Sequence, residues 1–199
     1  MLLSDVIDIE NISYIENKVG LPSGFIEGMG ADSDWGFIIK THALFESLFS
    51  QLLCIGFEKP ALESSLLKLP MNGKCSKTSF LSSMELLSKD HCSKVFPFMN
   101  ELSKLRNMIV HDASNLNFSL QDYYEKLLNR DKKNFVSQLL FYSKKLTSNI
   151  ATLDDSSSVN DWETIFNSNI RLWLEVTVQK VLEIISLYIQ VEELKGKAQ

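Results

Sequence analysis

Arg106, Asn107 and His111 stand close together in residues 98–112, FMNELSKLRNMIVHD, with Asp112 directly after them. Their types suit phosphate chemistry. A histidine, with an unperturbed pKa of about 6.5, exchanges protons at neutral pH, and an arginine offers a permanent planar cation to phosphate oxygens. Phe98, Met99, Leu102, Leu105 and Ile109 recur at three- and four-residue steps, so the stretch reads as a helix with the polar cluster at its end. On that helix Asn107 and His111 share a face, whereas Arg106 lies roughly 140° around the axis from His111. The two ends diverge. A long arginine can reach back around the helix, and a second copy of the chain across a two-fold axis could bring another Arg and His to the same cleft.

The elements that must hold this cluster follow from composition and period. The chain has 199 residues, 45% of them hydrophobic, with only 8 Gly and 4 Pro. That is one domain's worth of chain with few turn formers, which favours an all-α fold. The net charge of −5 supplies no general basic field, so any nucleic-acid contact must be local. Cys54, Cys75 and Cys92 show neither CxxC pairing nor zinc spacing. They read as reduced thiols in a cytoplasmic protein, with Cys54 packing as a small hydrophobe. No carboxylate or Cys/His cluster suggests a catalytic metal, and no cofactor is expected.

The first eighteen residues, MLLSDVIDIENISYIENK, lack the basic start and continuous apolar core of a secretory signal, and fit a short helix or an extended arm. Residues 20–36 carry five of the eight glycines and read as a flexible connector. Ser33 or Asp34 then caps a long helix with Phe37, Ile38, Leu44, Phe45, Leu48, Phe49, Leu52 and Leu53 on its apolar positions, ending near Gly56. His42 and Glu46, four apart, are expected as a surface pair.

Pro60 opens a short helical piece, ALESSLLKL, and a second helix is expected over Ser76–Lys89, with His91 in a surface loop after it. Ser93 and Pro97 fit the opening turn of the motif helix. Ser119 with Asp122 starts the helix SLQDYYEKLLNR, another follows over 131–150, and a final long helix runs from Asp161 with a bend at Asn167–Asn169. Residues 172–191 are apolar but interrupted by Glu175, Gln179, Lys180, Glu183 and Gln190, so no membrane span is expected there. The expected organisation is a single helical domain over 1–199: an N-terminal arm and loop (1–33), a bundle core carrying the motif (34–150), and the long C-terminal helix (161–195), packed mostly antiparallel.

LRNMIVHD resembles the Arg-x4-His motif of the HEPN superfamily, in which a polar residue commonly follows the arginine. The likeness extends to SDWGFIIKTHALFESLFSQLL, similar to the first long helix of bacterial HEPN-type proteins, and to FPFMNELSKLRNMIVHD, similar to their motif helix; it covers residues 33–120. The resemblance implies an antiparallel helical bundle with additional C-terminal helices that dimerises so that two motif helices meet. For members with the motif intact it also implies metal-independent cleavage of RNA. Arg106 and His111 are then the catalytic pair, Asn107 a supporting residue that orients His111 or the phosphate, and Asp112 a tuning or capping group. By the same analogy the protein is a toxin or phage-defence effector restrained by an antitoxin or regulatory protein. The alternative is a non-catalytic HEPN-like interaction or nucleotide-sensing module.

Overall fold

The computed structural model of the chain describes residues 9–111, 116–142 and 169–197. Among these residues there are nine α-helices, two short 3₁₀ turns and no strand. Asp112, residues 143–150, the loop after them and the expected helix start over 161–168, including Trp162, lie outside the described residues, as do the first eight.

The centre is α3 (Asp34–Gly56), and its sequence explains why. Ser33 caps it by accepting a hydrogen bond from the Gly36 amide at 3.2 Å. Phe37, Ile38, Leu44, Phe45, Leu48, Phe49, Leu52 and Leu53 leave almost no polar side, so the helix must be covered nearly all round. It is also long and apolar enough to cross a membrane by composition, and here that apolar surface is the core of the bundle. α9 (Ile170–Lys197) lies along one side of α3, α6 (Lys89–Val110) along another, and α4 (Glu63–Leu66) and α5 (Lys77–Ser83) cover its C-terminal half. At that end Gly56 is needed for space: a Cβ there would come within 2.5 Å of a Leu86 methyl. The chain leaves α3 through Glu58 at φ 52°, with Lys59 N–H bonded to Cys54 O at 3.1 Å, a left-handed cap.

The sequence before α3 is not a flexible connector. Glu16, on α1 (Ile9–Lys18), is buried, and its carboxylate accepts from Gly24 N at 3.0 Å and Ile26 N at 2.8 Å. These two bonds fold the glycine-rich stretch into α2 (Phe25–Gly28) and a 3₁₀ turn, and Ile26 and Met29 enter the core. Glycine content marked irregular backbone correctly, but a buried carboxylate gives that backbone one conformation.

Other expectations change in their bounds or setting. α6 begins at Lys89 with Ser88 as its cap, so Pro97 lies inside the helix and not in its opening turn. Proline lacks the N–H that would bond Ser93 O, a cost of about 3 kcal/mol, and burial of Val95, Phe98 and Met99 around it offsets that loss. The expected helix over Ser76–Lys89 ends at Ser83, and the piece after Pro60 is a 3₁₀ turn followed by the one-turn α4. His91 is a half-buried helix residue whose Nδ1 lies 2.9 Å from the Tyr188 hydroxyl of α9. Finally, the two helices expected after Ser119 are present with other bounds, the first as α7 (Leu120–Lys126) and the second as α8 (Asn129–Leu139), which packs on α6.

Candidate active site

α6 brings the motif to the surface by burying Val95, Phe98, Met99, Leu102, Leu105 and Ile109 and leaving its last turn open. α3 runs antiparallel to it. Phe45 packs edge-on against Phe98 with ring centroids 5.7 Å apart, His42 meets Ser103, and Trp35 reaches the last turn. Trp35 Nε1 donates to Ile109 O at 3.3 Å, satisfying one of the carbonyls that a helix end leaves without a partner. The end of the motif helix is thereby tied to the first turn of α3.

Arg106 is half-buried, and its Nη1 donates to Asn107 Oδ1 at 3.1 Å. Asn107 is exposed and thus supports the arginine through its carbonyl oxygen. His111 is the exposed C-cap of α6, and among the described residues it forms no hydrogen bond or ion pair. Five residues of helix separate Arg106 from His111 by about 7.5 Å along the axis. Among the described residues no hydrogen bond joins the two side chains, and Arg106 turns to Asn107 instead. Met108 and Val110 are exposed apolar side chains on this last turn.

Helical side chains lean toward the N-terminus of their helix, which for Arg106 is toward Ser103 and, across the antiparallel interface, toward His42 and Glu46. His42 is only 6% exposed, so it is no surface residue. Its Nε2 lies 3.0 Å from Ser103 Oγ and its Nδ1 3.6 Å from Glu46 Oε2. Asn72 Nδ2 donates to the same Ser103 Oγ at 3.1 Å. His42 holds the Glu46 carboxyl below the usual carboxylate range. Burial opposes this, and the positive charges of Lys77 and Arg106 add to it.

Lys77 is fully buried on α5, with its ammonium donating to Leu67 O at 3.2 Å and Leu69 O at 2.8 Å. Burial pulls its pKa down, partly countered by Glu46. Together with Thr78 Oγ1 on Met71 O at 3.1 Å, Lys77 pins the loop that delivers Asn72 to Ser103.

The sequence therefore located Arg106, Asn107 and His111 on one helix end but missed Ser103, Asn72, Lys77 and Trp35. Ser103 had a signal, since it shares a helix face with Arg106 and Asn107. Asn72 and Lys77 had none, because a loop and a helix from elsewhere in the chain bring them in. Cys54 is buried, and burial pushes its thiol pKa up, the setting of a packed residue. Among the described residues no group of three His, Cys, Asp or Glu side chains comes together as a metal site. Comparison with protein-family models, curated proteins and solved structures finds no match in any of the three.

Proposed function

We propose that the chain is a metal-independent endoribonuclease of HEPN type that works as a homodimer, with Arg106 and His111 as its catalytic pair and Asn107 in support. The observation that carries this reading is the separation of the two residues on the exposed end of α6. Arg106 is oriented by Asn107, and His111 stands open at the helix cap. A two-fold axis near this end supplies the missing juxtaposition, with Met108 and Val110 as apolar surface for the second copy.

In the cleft so formed, Arg106 binds the scissile phosphate and stabilises the charge that grows on it. One His111 accepts the proton of the ribose 2′-hydroxyl as that oxygen attacks phosphorus, and the partner's His111 gives a proton to the departing 5′-oxygen. The products are a 2′,3′-cyclic phosphate and a 5′-hydroxyl. By this reading the protein is a toxin or phage-defence effector and has a restraining antitoxin or regulatory partner.

A second reading, a non-catalytic interaction or nucleotide-sensing module, is favoured by one feature. Within a protomer the Arg106 guanidinium is engaged by Asn107, and among the described residues it forms no hydrogen bond with His111. One assay separates the two. Purified protein is incubated in chelator with a single-stranded RNA and with the same strand carrying one 2′-deoxy sugar at the cut site. Cleavage of the first strand only, with loss in His111→Ala, is the expected result. Cleavage that needs Mg²⁺, persists on the deoxy strand or survives His111→Ala rejects the mechanism and leaves the module reading.

A further inference from the structure

Away from the motif, three helices end together. α1 stops at Lys18, α3 at Gly56 and α9 at Lys197, and residues from all three ends line a cleft of about 530 Å³ that Pro60 and Glu63 complete. The rise of α3 sets this cleft about 30 Å from the turn that carries Trp35. A helix C-terminus carries roughly half a negative charge, which a basic side chain in the last turn offsets. α1 has Lys18 there and α9 has Lys195 and Lys197, whereas the last turn of α3 has no basic residue.

The side chains add to that negative end. Glu58, Glu63, Glu192 and Glu193 stand against two ammonium groups, Lys18 and Lys195, which leaves the cleft with a net charge of −2. Lys18 pairs with Glu193, which also accepts from the Tyr14 hydroxyl at 3.0 Å, and Lys195 pairs with Glu192 at 2.5 Å. Glu58 and Glu63 form no ion pair among the described residues; Glu63 accepts from the neutral Gln51 amide at 2.6 Å, and Lys59, next to Glu58 in sequence, does not line the cleft. The excess negative charge therefore sits on the two carboxylates that follow α3. The rest of that wall is apolar, from Ile55, Pro60 and Cys54. Cys54 is 5% exposed, and its Sγ has no hydrogen-bond partner among the described residues. The charge of Glu63 reaches it, adding to burial in raising the thiol pKa.

We propose that this cleft binds a diammonium alkane, the chemical class of the short polyamines, with one ammonium held by Glu58 and Glu63, the methylenes over Ile55 and Cys54, and the second ammonium on the Glu192 side. A dication cancels the net charge of the cleft and supplies the cation that the last turn of α3 lacks. Each ammonium offers three donors to carboxylate oxygens. The alkane chain covers apolar wall that a hydrated Mg²⁺ would leave in water. No group of three His, Cys, Asp or Glu side chains stands among the described residues to hold a bare metal ion instead.

The test is titration calorimetry on the full chain at low salt with putrescine, n-butylamine and Mg²⁺. Putrescine should bind saturably and raise the thermal midpoint, with n-butylamine and Mg²⁺ each weaker by about tenfold or more, the size of one lost charge-assisted hydrogen bond. Glu63→Gln should weaken putrescine by a similar factor, about tenfold. Lys195→Met, which removes a competing cation, should tighten it. Gly196→Trp should abolish binding, because a Cβ at Gly196 meets no atom within 4 Å and the ring can enter the cleft. Circular dichroism checks each fold; should Glu63→Gln not fold, the other two variants carry the comparison. No saturable binding, equal binding of Mg²⁺, or unchanged putrescine affinity in Gly196→Trp overturns the proposal. The readout needs no cleavage, so the result holds whether or not the chain cuts RNA.

Discussion

Arg171 and Asp34 join the first turns of the two longest helices: Arg171 Nη1 donates to Asp34 Oδ1 at 2.9 Å. The arginine is used on every side. Nη2 donates to Met29 O at 3.1 Å, Nε to Glu175 Oε1 at 2.5 Å, and the guanidinium carbon lies 3.7 Å over the Phe37 ring. Asp34 Oδ2 meanwhile accepts from Leu120 N at 2.7 Å, so the pair ties α3, α7 and α9 together below the motif.

Arg171→Ala should therefore destabilise the protein by about 3 kcal/mol, because it leaves Asp34 and Glu175 without their shared cation. At this chain length that corresponds to a thermal midpoint roughly 6–12 °C lower. Calorimetry checks it, and a change under about 2 °C would remove this pair from the account of the fold.

For the catalytic pair the expected costs differ. Arg106→Ala should lower RNA cleavage by about 10²- to 10³-fold, the loss typical of one charge-stabilising donor. His111→Ala removes the proton carrier and should fall further, to background. His111 is exposed at a helix end, so its substitution should leave the circular dichroism spectrum and thermal midpoint unchanged. A destabilised His111→Ala would point to a structural role instead.

Assembly is expected to depend on the open end of α6. Val110, 41% exposed, is the probe: Val110→Glu sets like charges against each other at a two-fold contact. Light scattering should give a dimer for the wild type and a monomer for the variant, both fully helical. An intact dimer in Val110→Glu would move the two-fold axis elsewhere.

The stability profile in acid should report Glu46. Its folded pKa is held below the ordinary value of 4.5, first by His42, so its stabilising contribution is present above that value and is lost as pH falls through the lower folded value. Denaturant melts between pH 7 and pH 3 should show a shallower acid decline in Glu46→Gln than in wild type. A parallel decline in the two would mean that His42 and Lys77 do not favour the ionised form.

The sequence by itself determined the helical class, the apolar stripes of α3, α6 and α9, the caps at Ser33 or Asp34 and at Ser119, and the place of Arg106, Asn107 and His111 on one helix end. Those are local properties: a period of 3.6 residues and a side-chain oxygen before it act within a few residues of chain. It did not determine which of its polar residues would be covered. His42 and Glu46 carry the spacing of a solvent-exposed pair, and only the packing of α6 and the loop at Asn72 against that face buries the histidine and turns the pair inward. The same holds for Glu16 with Ile26, for Pro97 inside α6 and for Arg171 with Asp34, 137 positions apart. Burial is decided by what lies across the interface. The tertiary structure settles it by bringing together groups that no local pattern relates.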